Sequence, residues 1–215
     1  MSARFPATTG KGEATRKRVL DAAVELAAVE GLSGLTIGAL AERLDMSKAG
    51  IVGYFGSKES LQLATVAVAE TMFIERVIEP AMRAPEGLPR LLVLCNHWLA
   101  YAADTLEGGC FFMAAGADVD GHPGPVRDRV AHTMRSWLLA LEGAIRAAQD
   151  AGHVHESADA AQLAFELNGM ELAATWSRQL LDDKSAAQRA RHAIHERIAS
   201  VTTRSGSRVL AHLPS

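Results

Sequence analysis

Apolar residues recur every three or four positions along most of this chain of 215 residues, which is the spacing of amphipathic helices. Runs of β-branched residues typical of strands are absent, and aromatic residues make up only 5% of the sequence. Glycine and proline residues divide the pattern into about nine helical segments. The sequence therefore predicts an all-α fold. The segments lie near residues 16–30, 36–44, 48–55, 57–79, 88–105, 110–117, 126–150, 157–181 and 185–206.

Three short segments with good caps follow one another between residues 35 and 61. Thr36, Ser47 and Ser57 each precede a helical run, where a hydroxyl group can accept a hydrogen bond from a backbone N–H of the first turn. Asp45 interrupts the first pair of helices, and Gly56 ends the second. Two short helices joined by a tight turn form a helix-turn-helix, whose second helix can enter the major groove of DNA.

This stretch and the helix before it resemble the N-terminal domain of TetR-type transcriptional regulators. The resemblance covers about residues 13–63 and extends, less specifically, to residues 108–130, which are similar to the start of the C-terminal domain in one branch of these regulators. The residues that carry it are Glu30-Gly31, Thr36-Ile37-Gly38-x-Leu40-Ala41, Ser47-Lys48-x-Gly50-Ile51 and Tyr54-Phe55-Gly56-Ser57-Lys58-Glu59-x-Leu61.

The resemblance and the composition together predict the domain organisation. Residues 1–12, with three glycine or proline residues, are expected to form a flexible arm. Residues 13–60 are expected to form the helix-turn-helix domain, and residues 61–215 a helical domain for ligand binding and dimerisation. Segment 57–79, which we expect Pro80 to end, crosses from one domain into the other. The last helix is expected to open with a capping box at Ser185 and to end at Gly206, followed by a loose tail.

The resemblance also implies which residues contact DNA. Positions at the start of the second helix face the groove, and flanking cap and helix-start positions contact phosphates. The groove positions are Lys48, Ala49, Gly50 and Val52, and the phosphate positions are Thr36, Ser47, Tyr54 and Lys58. Tyr54 can also be read as a packed aromatic residue, and Lys58 as an exposed cation. Gly53 departs from the family pattern, and the groove face has few hydrogen-bonding side chains, so we expect DNA shape to contribute to specificity.

Bulky side chains in the C-terminal half form two groups. TetR-like regulators hold a small effector within a helical bundle, so one group is a candidate pocket, although each member also fits ordinary core packing. It consists of Trp98, Tyr101, Phe112, Met113, Trp137 and Met170. The second group is the apolar face that segment 157–181 has left after packing on its own core, together with the stripe of the last helix, and it predicts a homodimer interface. It consists of Phe165, Leu172, Trp176, Ala190, Ile194 and Ile198.

Charge neither proves nor excludes DNA binding. The formal net charge is −3, with eight Lys and Arg against seven Asp and Glu in residues 1–60 and 14 against 18 in the remainder. A small DNA-binding unit needs only a few well-placed cations. Arg16, Lys17 and Arg18, at the start of the first helix, either contact phosphates or are simply solvated.

The sequence predicts no enzyme, metal site or cofactor. Neither His192 and His195 nor His153 and His155 have further ligands at metal-binding spacing. No phosphate-binding loop or nucleophile elbow is present. Two cysteines in apolar settings predict free buried thiols, and the absence of a readable signal peptide or membrane span predicts a soluble, cytoplasmic protein with no membrane partner.

The sequence thus predicts a homodimeric regulator that binds partly palindromic double-stranded operator DNA and is released by a small-molecule effector. The resemblance implies repression, whereas activation would leave the same sequence features. A small-molecule sensor or carrier that has lost DNA binding is the alternative. The effector and the operator sequence stay open.

Overall fold

The computed structural model describes residues 10–213, apart from the side chain of Lys11, and these residues are mostly helical. The elements are α1 (Gly10–Gly34), α2 (Ile37–Leu44), α3 (Lys48–Phe55), α4 (Lys58–Phe73), a π turn (Ile74–Ile78), α5 (Glu79–Arg83), α6 (Leu88–Asp104), α7 (Phe111–Val119), α8 (Pro125–Asp150), α9 (Ala160–Leu181), α10 (Ala186–Ala199) and α11 (Arg204–Leu210). The predicted all-α fold is confirmed: within residues 10–213 the only β feature is an isolated bridge between Val154 and Thr202.

The predicted arm lies largely outside the described residues. Residues 1–9 are not described, and residues 10–12 are already part of α1 rather than of a flexible segment. At its other end α1 is interrupted at Gly31, whose φ of 73° lies in the left-handed region that favours glycine. Together α1, α2 and α3 form a small three-helix unit whose shared core includes the fully buried Val19, Leu40 and Ile51.

The helix that begins at Lys58 continues past Pro80, and the expected end there is wrong. In the π turn the hydrogen bonds reach one residue further than in an α-helix, as in the bond from Glu79 N–H to the Ile74 carbonyl. Pro80 has no N–H to give to the Arg76 carbonyl, which instead accepts a hydrogen bond from His97 Nδ1 at 3.0 Å. Because another helix supplies that bond, α4, the π turn and α5 form one continuous rod, and residues 10–213 hold ten separate helices.

α6 is the central helix of the C-terminal bundle. It packs against α5, α8, α9, α10 and α11 and buries residues on most of its surface, as the sequence predicted. α7 connects this bundle to the three-helix unit, since it packs along α1. The approach is close at Gly108, just before α7, where an added Cβ would lie 2.0 Å from the Ala28 carbonyl oxygen.

The last two helices differ from the sequence-based expectations. Ser185 precedes α10 but forms no side-chain cap, because its hydroxyl group donates to Asp183 at 2.6 Å. The expected loose tail contains the short helix α11, whose N-terminus is capped by Thr203. α10 packs on α6 and α9 within the same chain, and this buries three residues that were expected at a homodimer interface. They are Ala190, Ile194 and Ile198, and their assignment to the interface is wrong because the chain's own core covers them.

Candidate functional site

Side-chain hydroxyl groups fix the starts of the three helices near the predicted DNA-binding face. The Thr36 hydroxyl accepts from the Ala39 N–H at 3.1 Å, and the Ser47 hydroxyl accepts from the Gly50 N–H at 3.0 Å. Ser57 caps α4 in the same way. Each cap satisfies a backbone donor that the first helical turn leaves free. These local predictions are confirmed, and they set the directions in which α2, α3 and α4 begin.

The groove-facing positions of α3 lie on its outer side. Lys48, Ala49 and Val52 are exposed and Gly50 is half-buried, while Ile51 and Phe55 on the opposite side are buried in the three-helix core. The Lys48 side chain passes over Gly38 of α2, where an added Cβ would lie 3.5 Å from Lys48 Cε. α3 therefore presents a small, mostly apolar surface with one cation at its N-terminus.

Several basic side chains of this unit are already engaged within the chain. Arg43 forms an ion pair with Glu25 at 2.9 Å, and Lys17 forms one with Asp21 at 2.8 Å. The Arg16 guanidinium lies 5.4 Å from the centre of the Phe55 ring, within cation–π distance. Tyr54 is half-buried and its side chain packs against the same core. Surface pairs of this kind are weak and can exchange for phosphate.

The C-terminal end of α1, after its interruption at Gly31, is held by three side chains from elsewhere in the chain. Lys58 of α4 donates to the Ser33 carbonyl at 2.7 Å, and Gln62 donates to the Leu32 carbonyl at 2.6 Å. From α7, the Asp118 carboxylate accepts from the Ser33 N–H at 2.6 Å. Lys58, predicted to hold a phosphate, is thus also a structural link, and Asp118 ties the C-terminal bundle to the three-helix unit.

Four of the six predicted pocket residues are buried, and three of them meet around Phe73 of α4. The Phe73 ring makes edge-to-face contacts with Tyr101 and Trp137, each with ring centres 5.4 Å apart, and with Phe112 at 5.9 Å. Trp98 is buried in the same core, whereas Met113 and Met170 are only half-buried. We call Phe73, Tyr101, Phe112 and Trp137 the aromatic cluster.

Glu171 of α9 is fully buried beside this cluster. Within the described part of the chain neither of its carboxyl oxygens has a hydrogen-bond partner, and the buried Tyr101 hydroxyl also has none. Trp137 lies near the carboxyl group, but its indole N–H donates to Asn168 at 3.2 Å. Burial raises the pKa of Glu171 well above its usual range, and Trp137 and Cys95 oppose this only in part. An acidic group without a partner in an apolar core is costly to the fold.

An open cleft lies between α4 and α8, on the outer side of the aromatic cluster. It has a volume of about 390 Å³, and Phe73 and Trp137 line it. At its rim Glu70 accepts hydrogen bonds from Arg129 Nε at 2.9 Å and from the Thr133 hydroxyl. The cleft thus has a polar rim whose charges are paired and an apolar wall that separates it from Glu171.

Two family models match the sequence. Residues 87–194, half of the chain, match the tetracyclin repressor-like C-terminal domain. Residues 19–65 match the bacterial regulatory proteins of the tetR family. The chain belongs to the TetR family. The resemblance that the motifs between residues 13 and 63 indicated is confirmed.

Solved structures of regulators share the fold of this TetR-family chain. A TetR transcriptional regulator from Chloroflexus aurantiacus J-10-FL is 23% identical, with a TM-score of 0.83 over 90% of this chain and 98% of the other. A putative transcriptional regulator from Saccharomonospora viridis, in complex with choline, is 20% identical, with a TM-score of 0.78 over 89% and 100%. AibR, in complex with isovaleryl coenzyme A and operator DNA, is 19% identical, with a TM-score of 0.68 over 86% and 96%. No curated protein sequence matches the chain.

The exposed apolar residues of this TetR-family protein include part of the predicted dimer face. On α9, Phe165 and Trp176 are 68% and 52% exposed, whereas Leu172 between them is half-buried. Leu139, on the neighbouring α8, is 65% exposed. Gly169 lies between the two aromatic residues, and an added Cβ there would meet nothing within 4 Å. A second helix can therefore approach α9 closely along this side. We call Leu139, Phe165, Gly169 and Trp176 the α8–α9 face.

Sequence reasoning missed three residues of the bundle core and the cleft. Phe73 was overlooked because the predicted inner face of its helix followed a different line of apolar residues. Glu171 resembled an ordinary solvated acid in an amphipathic helix, and Glu70 carried no motif. The available signal for Glu171 was its position four residues after Leu167 and three before Ala174, both of which are buried.

Between residues 10 and 213 no helix of this TetR-family chain is long and apolar enough to cross a membrane. The described His, Cys, Asp and Glu residues form no group of three or more that could hold a metal ion. Cys95 and Cys110 are buried free thiols. Among the described residues, the titratable side chains buried in the bundle core are Glu171, Tyr101 and the two thiols.

Proposed function

We propose that this TetR-family protein is a transcriptional repressor that binds partly palindromic operator DNA as a homodimer and releases it when a small molecule occupies the C-terminal bundle. The DNA-binding unit ends near residue 60, and α4 joins it to the effector domain. The observation that carries the proposal is the capped helix-turn-helix with its exposed α3 face. Lys48, Ala49 and Val52 point away from the core there, where a major groove can receive them.

Phosphate contacts come from the helix starts around α3. Thr36, Ser47 and Lys58 lie at the N-termini of α2, α3 and α4, where free backbone N–H groups and the helix dipole favour an anion. Such contacts fix the position of the protein on DNA but carry no sequence information. Sequence preference then comes from Ala49 and Val52, which can contact thymine methyl groups, and from DNA shape.

Homodimerisation through the α8–α9 face is supported by its exposed apolar side chains. Phe165, Trp176 and Leu139 would be covered by a two-fold partner, which would bring the same face against itself. Two DNA-binding units held by one interface can read half-sites about 34 Å apart along DNA. α10 takes no part, because its apolar stripe is buried within the protomer.

An effector site in the bundle is supported by the aromatic cluster and by two of the neighbours. One regulator of the same fold was solved with choline and another with isovaleryl coenzyme A and operator DNA. Because these two ligands differ so much in size and chemistry, the effector of this chain has to be inferred from its own residues. Phe73 places α4 in contact with any molecule that enters the cluster, so the signal to the DNA-binding unit runs along α4.

DNA binding is tested with the purified full chain and the DNA that lies upstream of its own gene. In a fluorescence anisotropy titration we expect specific binding that unlabelled operator displaces and random DNA does not. Lys48→Ala should weaken it, whereas Lys184→Ala, an exposed lysine far along the chain, should leave it unchanged. Val52→Thr should change the preferred sequence rather than the affinity for all DNA.

The alternative is a small-molecule sensor or carrier without DNA binding. It predicts no specific fragment in a selection from random double-stranded DNA, even at about 50 mM salt, where electrostatic binding is strong. A promoter–reporter assay separates repression from activation: deletion of the gene raises reporter output if the protein represses. The two assays are independent. Specific DNA fragments in the selection together with a fall in reporter output on deletion would identify an activator.

A further inference from the structure

The buried carboxyl group of Glu171 has no structural role that the chain itself explains. It is fully buried, and within residues 10–213 neither oxygen has a hydrogen-bond partner of normal geometry, although the Trp137 indole and the Cys95 thiol lie close enough to lower its pKa. Replacing such a group by an apolar residue of similar size normally stabilises a protein. A molecule from outside the chain that pairs with the carboxyl group would account for it.

The side chains around Glu171 determine which charge a molecule bound there can carry. The side chains that the structure buries include no lysine, arginine or histidine, so a bound carboxylate or phosphate would find no opposite charge there. Cys95 and Cys110 are titratable groups near the carboxyl group, Tyr101 is one near Cys110, and burial raises the pKa of each. All three are therefore neutral at neutral pH, and Glu171 is the only one that can supply a negative charge.

The aromatic cluster favours the same charge. The Trp137 ring lies beside the carboxyl group and packs edge-to-face against Phe73, which also contacts Tyr101, and the electron-rich faces of such rings attract cations, most strongly away from water. The unpartnered Tyr101 hydroxyl adds one hydrogen-bond donor or acceptor. A carboxylate, a hydroxyl and several aromatic rings in an otherwise apolar core match a positively charged nitrogen with an apolar substituent.

We propose that Glu171 and the aromatic cluster form the recognition site for a protonated amine that carries an apolar or aromatic group. The ammonium N–H donates to the Glu171 carboxylate, and the apolar part lies among Phe73, Tyr101 and Trp137. This inference rests on the proposed function, because it names the chemical class of the effector.

The cleft between α4 and α8 is the route to this site. Phe73 and Trp137 line the cleft on one side and belong to the aromatic cluster on the other. A ligand that reaches Glu171 from the cleft has to displace at least one of these rings. Displacement of Phe73 moves the end of α4, so the same step that admits the amine also moves the rod that carries Lys58.

Binding of an amine also releases a proton. In the free protein burial raises the pKa of Glu171 and so favours its protonated form. The ammonium group stabilises the carboxylate form, so that proton passes to the buffer when the ammonium ion binds, and the amine keeps its own. A neutral or anionic ligand would leave the proton in place, which gives the proposal a signature independent of affinity.

The test uses three probes of similar size: 2-phenylethylamine, which is a cation at neutral pH, neutral 2-phenylethanol and anionic phenylacetate. We expect calorimetry on the full chain to show the amine binding at least about tenfold more tightly than the other two, a difference of about 1.4 kcal/mol. In phosphate and in Tris buffer the binding enthalpies should differ by the amount that release of about one proton predicts.

Two variants locate the site. Glu171→Gln keeps the size but cannot carry the charge, so it should lower amine affinity at least about tenfold and abolish the buffer dependence. Glu156→Gln makes the same chemical change at an exposed loop position and should bind as the wild type does. Tyr101→Phe removes only the unpartnered hydroxyl and should lower affinity several-fold while the fold, checked by circular dichroism, is kept.

The proposal is overturned by any of three results. These are amine binding that Glu171→Gln leaves unchanged, alcohol or carboxylate probes that bind as tightly as the amine, and an amine that does not bind at about 1 mM. None of these measurements involves DNA. Operator binding that persists while the amine fails would therefore reject the effector class alone, and amine binding without operator binding would reject the repressor.

Discussion

The Asp118 carboxylate accepts a hydrogen bond from the backbone N–H of Ser33 at 2.6 Å, across 85 residues of sequence. Asp118 belongs to α7 of the bundle, and Ser33 lies at the C-terminal end of α1, just before α2. The carbonyl of the same residue accepts from Lys58 of α4 at 2.7 Å. Ser33 is therefore the point at which the bundle and α4 both hold the DNA-binding unit.

Removal of the Asp118 carboxylate should loosen this junction. We expect Asp118→Ala to lower the free energy of unfolding by about 1 kcal/mol, because the Ser33 N–H loses a charged acceptor. It should also weaken operator binding, since α1 and α2 are less well oriented. Asp120→Ala is the matched control, because Asp120 is exposed and accepts from Arg127 through a backbone carbonyl that the substitution keeps. Equal urea denaturation curves for the two variants would contradict a structural role of Asp118.

Lys58 has both a structural and a DNA-binding role in this proposal. Lys58→Ala should weaken binding to all sequences alike and lower the slope of log K against log salt by about one, as expected for the loss of one phosphate contact. Lys58→Arg should restore most of the slope. The slope is measured by anisotropy at several salt concentrations. An unchanged slope in Lys58→Ala would show that Lys58 contacts no phosphate and has only the structural role of its hydrogen bond to Ser33.

The α8–α9 face should be required for dimerisation. Phe165→Glu and Trp176→Glu place a charge at positions that a partner would bury, so we expect folded monomers with weak operator binding. Met82→Glu introduces the same charge at another exposed apolar position, on α5, and should remain dimeric. Sedimentation velocity at micromolar concentration distinguishes the two cases, and a dimer in all three variants would place the interface elsewhere.

Glu171 should make stability depend on pH in a direction opposite to that of most acids. Above the unfolded pKa of about 4.3, and up to its raised folded pKa, the native state holds a proton on Glu171 that the unfolded state has lost. The contribution of this group to the free energy of unfolding therefore falls as pH rises, by up to about 1.4 kcal/mol per pH unit.

Urea denaturation of the wild type and of Glu171→Gln between about pH 5 and pH 8 checks this direction. The wild type should lose stability relative to the variant as the pH rises, and Glu156→Gln should follow the wild type. Cys95 and Cys110 should not interfere, since the raised pKa of each keeps it protonated in this range. A constant difference between wild type and Glu171→Gln would show that Glu171 does not titrate differently in the two states.

α4 should carry the effector signal. Val68→Gly and Ala69→Gly weaken the helix by about 1 kcal/mol each between the aromatic cluster and Lys58. We expect effector affinity to change little and effector-induced loss of operator binding to shrink. Ala173→Gly, at an exposed position of α9, is the control for a helix weakened outside this path. Calorimetry for the effector and anisotropy for the operator, with and without effector, provide both quantities.

Local chemistry was predictable from the sequence, and long-range packing was not. Thr36, Ser47 and Ser57 were predicted as caps because a cap depends mainly on the residue and the next turn. The capping box expected at Ser185 was wrong, because the hydroxyl group donates to Asp183 instead. Ile194 was misplaced because an apolar stripe does not state which surface covers it. The same ambiguity left Trp137 readable either as pocket or as core. Glu171 could not be recognised, since its burial depends on how α6, α8 and α9 pack around it.

Along the rod from α4 to α5, one row of buried residues recurs at every fourth position: Leu61, Thr65, Ala69, Phe73, Val77 and Ala81. In a regular α-helix each step of four residues overshoots a full circle by about 40°, so such a row would wind around the axis. The π turn (Ile74–Ile78) has more residues per turn than an α-helix, so it reverses part of this rotation and keeps Val77 and Ala81 in the row. The number of residues between Phe73 and Pro80 therefore determines which side of the rod the later buried residues face. Losing one residue there would leave the helix intact but rotate α5 relative to the aromatic cluster, and with it the face that packs on α6.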